Sequence, residues 1–226
     1  MPDPLSPFRN VLLPVDAPLA PHANPVTGLL IGRGGSVRLT LDGVVVEGDM
    51  LLIRPGVVHR VDLPTRGADI LYFDGLDFPF EAPLARALDG RLAELADAVP
   101  NGEGDAADEL RARLTISATL PSPRVTDAVR AIYSDPMRRM PQGELSRRLG
   151  MERTVALRCF RATTGQSFRE FKRWSAMQFA AEQMKQGALV RTAAMDAGFA
   201  DTAHLSRAFR KTFGLTPSAA IGALSP

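Results

Sequence analysis

Apolar positions between residues 26 and 74 often alternate with polar ones, as at Val37, Leu39 and Leu41 and again at Val44 and Val46. A period of two places such side chains on one face of a strand. Gly34-Gly35, Asp42-Gly43, Gly48-Asp49 and Pro55-Gly56 separate the runs, so the pattern predicts antiparallel strands joined by tight turns, with residues 70–73 as the last strand. From 80 to 118 the turn residues thin out. Leu84, Leu88, Leu92, Leu95 and Val99 recur there at helical spacing, with Gly90 as a weak point. A second, weaker helix follows the 101–105 stretch and rests on Leu110, Leu114 and Ile116. Two amphipathic helices in this place either pack on the sheet or form a dimer interface, and spacing does not choose between the two.

Pro121 and Pro123 punctuate the chain, and beyond them the periodicity is helical throughout. Residues 125–133 carry Val125, Ala128, Val129 and Ile132 on one face, and 143–149 form a short helix before a basic one. Helix, turn and basic helix in that order form a helix-turn-helix arrangement. The pattern RxFRxTxG then occurs twice, at 158–165 and at 207–214. Each copy ends a helix with a buried face, Ala156, Cys159, Phe160 and Thr163 in the first and Leu205, Ala208, Phe209 and Thr212 in the second. On the opposite face Arg153, Thr154, Leu157, Arg158 and Arg161 correspond to Thr202, Ala203, Ser206, Arg207 and Arg210. Gly165 and Gly214 stand where a left-handed helix cap favours glycine. A helix over about 168–186 separates the two, and roughly 19 residues at 1.5 Å each span roughly 28 Å. That is comparable with the roughly 34 Å turn of B-DNA between successive major grooves on one face.

The organisation is therefore α+β in three segments: a strand-rich 1–78, a helical connector 79–120 and an all-helical 121–226. Charge follows the same division. Residues 1–120 hold 10 Lys and Arg against 17 Asp and Glu, a net −7, whereas 121–226 hold 17 against 8, a net +9. A basic half neutralises phosphates and releases their counterions, which points to a polyanion. No apolar run approaches the roughly 20 residues a bilayer span needs, and MPDPLSPFRN lacks a basic region followed by an apolar stretch, so the sequence reads as cytoplasmic with no membrane partner. Cys159 is the sole cysteine; on the apolar face of a helix it reads as a core filler.

From 125 to 221 the chain resembles the AraC/XylS family of bacterial transcription regulators, most closely in GFADTAHLSRAFRKTFGLTPSAAI at 198–221. The first unit, GMERTVALRCFRATTG, is similar with departures: Glu152 for the usual serine cap, Ala156 for leucine, Ser146 for alanine and Ser175 for the linker-helix arginine. A carboxylate at the Glu152 position still suits a helix N-terminus. The resemblance implies a double helix-turn-helix that binds duplex DNA, with Arg153, Thr154, Leu157 and Arg158 reading bases from one helix and Thr202, Ala203, His204 and Arg207 from the other. Arginine can pair with guanine O6 and N7, and threonine or leucine can touch a thymine methyl. Arg161, Arg210 and Lys211 would hold phosphates.

VEGDMLLIRPGVVHRV at 46–61 resembles the second half of a cupin motif, which implies a small antiparallel cupin-like β-barrel ahead of the DNA-binding half. In the regulator family such a barrel senses a small-molecule effector or makes a homodimer, and Arg54 and His59 would line the effector pocket. Enzymatic cupins need several converging ligands for a metal. The only histidines are His22, His59 and His204, so no metal site, cofactor or catalytic residue is expected. The expected function is sequence-specific, non-enzymatic transcription regulation. Two other classes stand beside it: a protein-binding adaptor that uses the basic helices on an acidic partner, and a cupin enzyme.

Overall fold

A computed structural model describes residues 8–13, 19–73, 84–99, 105–114, 122–135 and 138–222. The chain forms two compact units, one within residues 118–208 and the other from 7–117 together with 209–226.

The second unit is built on two antiparallel sheets. The strands are β1 (Phe8–Leu13), β2 (Thr27–Gly32), β3 (Val37–Leu41), β4 (Val44–Gly48), β5 (Met50–Ile53), β6 (Arg60–Asp62), β7 (Ala68–Phe73) and β8 (Ala85–Ala87). Five run in the order β1-β7-β2-β5-β8 and three in the order β4-β3-β6, so the expected barrel is realised as two sheets that the described strands do not close. Asp42 and Gly43, both at positive φ, make the two-residue turn that pairs Leu41 with Val44, as hairpin twist demands. Buried and outward positions alternate along β3, whereas β7 is buried throughout, covered on both faces.

One face of the larger sheet carries the connector. Helices α1 (Gly90–Ala98) and α2 (Ala106–Leu114) bury Leu95, Ala96, Leu110 and Leu114 against Leu29, Leu52, Leu71 and Phe73. The sheet, not a second subunit, thus takes up their apolar faces. Outside, Arg91 bonds both Glu94 and Glu109, and Glu109 also receives Arg113. Two expectations change here. The helix does not begin near 80: Ala85–Ala87 add an edge strand, pairing with Leu51–Ile53, and helix starts only at Gly90. Residues 70–73 are consequently not the last strand, and β1 pairs with β7 ahead of the first expected one. Ile116 lies outside the described residues.

The same unit holds residues 209–222. Asn24 Nδ2 donates to the Thr212 carbonyl (2.7 Å), the Ala20 N–H donates to the Gly214 carbonyl (2.8 Å), and the Tyr72 and Phe213 rings lie 5.8 Å apart. Beside them His22 and His59 exchange backbone hydrogen bonds, and their rings lie tilted to each other with centroids 4.4 Å apart. Each Nδ1 lies 2.9 Å from a carbonyl two residues earlier, that of Ala20 or Val57. Burial holds both imidazoles neutral: His22 falls from 6.5 to about 4, with the neighbouring His59 ring adding to the effect, and His59 is lowered by burial too.

The other unit contains helices α3 (Pro123–Ser134), α4 (Gln142–Leu149), α5 (Arg153–Thr164), α6 (Phe168–Lys185), α7 (Val190–Asp196) and the first seven residues of α8 (Thr202–Phe213); α9 (Pro217–Gly222) closes the described chain. Its core gathers Val125, Val129, Ile132, Leu145, Leu149, Phe160, Phe168 and Phe171. The long helix α6 packs against α3, α5 and α7, so both helix-turn-helix units share one strut.

The unfolded chain takes up protons on its histidines near 6.5, while folded His22 resists until about 4. Folding stability should therefore be full above pH 6.5 and fall as the pH drops towards 4; a urea midpoint that stays level from pH 7 to 5 would contradict the buried neutral pair. The repeated glycines should also differ. Gly165 and Gly214 both lie in left-handed backbone, but a Cβ at Gly165 would meet nothing, whereas at Gly214 it would lie 2.6 Å from the Ala20 carbonyl and from His22 Nδ1. Gly165→Ala should cost about 1–2 kcal/mol through backbone strain alone, and Gly214→Ala distinctly more, as read from paired denaturation curves.

Candidate nucleic-acid interface

The first basic helix is set by its ends. Glu152 caps α5 by accepting from the N–H groups of Thr154 (2.7 Å) and Val155 (3.4 Å), and these donors hold its carboxyl below the usual range. Gly165 ends the helix in the left-handed region, its N–H bonded to the Arg161 carbonyl. Between the caps, Ala156 and Phe160 are buried and Cys159 packs beside them. The Phe160 ring meets Phe168 and Phe171 edge-on at 5.3 and 5.2 Å. That anchoring leaves Arg153, Thr154, Arg158 and Arg161 exposed on the far side, with Leu157 half-buried. The preceding helix is tied in through Glu144, which pairs with Arg148 and Arg138, and through Arg124, which donates to the Leu149 carbonyl at the turn.

The second basic helix has its own cap. Asp201 Oδ1 accepts the N–H of His204 at 2.6 Å; the Asp-x-x-His run just ahead of the apolar periodicity was the available signal for it. Leu205 and Phe209 face inward, while Ala203, His204, Arg207, Arg210 and Lys211 are exposed and Thr202 and Ser206 half-buried. The His204 ring also stands edge-on to Phe199 at 5.3 Å. Each expected DNA-facing side chain therefore lies on the outward side of its helix, apart from the half-buried Leu157 and Thr202.

Electrostatics separates these cations from others in the chain. Arg33, Arg38, Arg91, Arg113, Arg138 and Arg148 each pair with a carboxylate. Among the described residues Arg153, Arg158, Arg161, Arg207, Arg210 and Lys211 take part in no ion pair. Their charge is left available to an external anion.

The matching family model is described as a helix-turn-helix domain and covers residues 145–221. Residues 145–221 form a helix-turn-helix domain. The helix-turn-helix match takes in both copies of the octapeptide. Over 96% of its length the chain shares its fold with ToxT from Vibrio cholerae. Against ToxT bound to (E)-4-(8-methylnaphthalen-1-yl)but-3-enoic acid the TM-score is 0.62 at 13% identity, covering 96% of this chain and 99% of that one. Another ToxT crystal structure gives 0.60 at 15% identity, covering 97% and 98%. Unsaturated fatty acid bound wild-type ToxT gives 0.55 at 15%, covering 96% and 94%. No curated protein matches the sequence.

Neither expected effector residue is among those that line a shallow concavity of the β-rich unit, Leu41, Asp42, Val57, Val58 and Leu84, although both lie next to it. His59 is buried against His22, and Arg54 is half-buried, its backbone N–H bonded to the Leu84 carbonyl. Among the described residues no three His, Cys, Asp or Glu side chains converge as metal ligands, and no described helix is long and apolar enough to cross a membrane.

The strut that carries both units begins with a capping box: Ser167 Oγ accepts the Glu170 N–H, and the Glu170 carboxylate accepts the Ser167 N–H in return. Ser167→Ala should cost about 1 kcal/mol of stability. An unchanged unfolding midpoint would show that tertiary packing alone sets the start of α6.

Proposed function

We propose that the protein is a sequence-specific DNA-binding transcription regulator acting in the cytoplasm, without catalysis of its own. One observation carries this reading: two helices present equivalent, unpaired basic faces on a common strut, as reading of a repeated groove requires. In this proposal Arg153, Thr154, Leu157 and Arg158 meet bases from α5, and Thr202, Ala203, His204 and Arg207 from α8. Arg161, Arg210 and Lys211 hold phosphates, which fixes register without reading sequence. The ToxT structures with bound organic acids favour a small-molecule effector here too, with Arg54 and His59 as its candidate contacts. Such an effector acts only by binding two arrangements unequally. Thr212 in the last turn of α8 and Gly214 just past its end accept from Asn24 and Ala20 within the β-rich unit, so the chain itself links that unit to a reading helix.

The test is selection of duplex DNA from a random library by the full-length protein, followed by salt titration of the winners. A two-part site with elements about one helical turn apart is expected. Arg207→Ala should lose about 1–3 kcal/mol and relax preference at one or two positions, whereas Arg210→Ala should weaken all sequences alike and shallow the salt slope by about one. Uniform loss from Arg207→Ala would reassign it to phosphate. Salt-sensitive binding with no enriched sequence would favour the adaptor reading instead.

A further inference from the structure

Arg139 is the charged residue of the helical unit whose backbone is most at odds with its side chain. Its φ is +45°, in the left-handed region that disfavours a residue with a Cβ, and strain of this kind persists only where surrounding contacts over-determine it. The contacts are visible. Arg139 Nη2 donates to the carbonyl of Gly198, 59 residues away, in the turn that joins α7 to α8. Gly198 and Phe199 close α7 through hydrogen bonds from their N–H groups to the Met195 and Ala194 carbonyls, so the guanidinium sits at the negative end of that helix. The next residue along, Met140, is buried in the first helix-turn-helix core, and its carbonyl receives Lys172 Nζ of α6 at 2.8 Å. Lys172 in turn lies 4.7 Å above the Phe168 ring.

The segment Arg139-Met140, between α3 and α4, therefore touches three parts at once: the first core, the strut and the turn of the second unit. We propose that Arg139 is a positioning residue that fixes the separation and angle between the two reading helices, and so restricts which spacing between DNA elements the protein accepts. The proposal rests on the DNA-binding reading for its consequence, but not for its geometry. The clasp gives the two helix-turn-helix units a direct bond beside the link they share through α6.

The experiment compares wild type, Arg139→Gly and Arg139→Lys. Glycine removes the guanidinium and at the same time suits the left-handed backbone, so the variant is expected to fold. Selection from a random duplex library should give wild type one separation between its two elements. Arg139→Gly should keep each element's base preference yet lose about tenfold of the discrimination between adjacent separations, the factor that one hydrogen bond to a charged group can enforce. Arg139→Lys should lie between. The same single separation in Arg139→Gly as in wild type overturns the proposal. Should wild type itself enrich no sequence, the DNA reading fails, and a second measurement decides the clasp alone. Spin labels at Thr154→Cys on α5 and Ala203→Cys on α8, in a Cys159→Ser background, report the distance between the helices. A distribution that broadens or shifts with Arg139→Gly supports the clasp; an identical one overturns it.

Discussion

Edge-on packing of Phe160 against Phe168 and Phe171 is the contact on which the arrangement of the first helix-turn-helix depends. Phe160 lies on the inner face of α5, and the other two rings lie on the first turn of α6. Their geometry therefore fixes the rotation of α5 about its own axis relative to the strut, and with it the direction in which Arg153, Thr154 and Arg158 point. Aromatic pairs at such distances add about 0.5–1.5 kcal/mol beyond the area they bury. More to the point, they are directional, where aliphatic contacts are not. Met184 near the far end of the same helix is buried, so α6 is held along its length, with its capping box fixing where it starts.

The octapeptide repeat was legible in the sequence as two helices with equal outward faces, and the exposure of Arg158 and Arg207 agrees. What it did not convey is that the two copies have different neighbours. Thr164 in the first copy donates its hydroxyl to the Phe160 carbonyl within its own helix. The second copy has Phe213 at that position, near Tyr72, and the adjoining Thr212 carbonyl accepts from Asn24. Identical local pattern fixes local helix; it carries no information on which distant segment covers it. The Gly165 and Gly214 pair makes the same point, since both need positive φ and only one is crowded.

Errors in the β-rich half have a related cause. Leu84, Leu88 and Leu92 stand four apart, which reads as helix, yet Ala85–Ala87 pair with Leu51–Ile53. Three residues are too few to display alternation, and the partner strand lies more than 30 positions earlier. The first strand likewise became evident only through its pairing with β7. Turn chemistry fared better: Asp42-Gly43 dictates its hairpin almost unaided, because few residue pairs accept positive φ twice in succession. The connector helices were readable as amphipathic, but whether a sheet or a second subunit covered them was settled only by Leu95, Leu110 and Leu114 lying on Leu29, Leu71 and Phe73.

The near-neutral total charge hides the division that matters for binding. Much of the chain's positive charge is spent internally: Arg33 forks onto buried Asp69, and Arg91 and Arg113 both hold Glu109. Such pairs fix local geometry and contribute little field at a distance. The outward arginines of α5 and α8 form no ion pair with a described carboxylate, so each lowers the free energy of a phosphate brought near it. A ligand that carries phosphates on a regular repeat gains from both faces together, provided their separation matches its own. The chain's electrostatics thus supply attraction, and the packing that holds the two helix-turn-helix units together decides which spacing can use it.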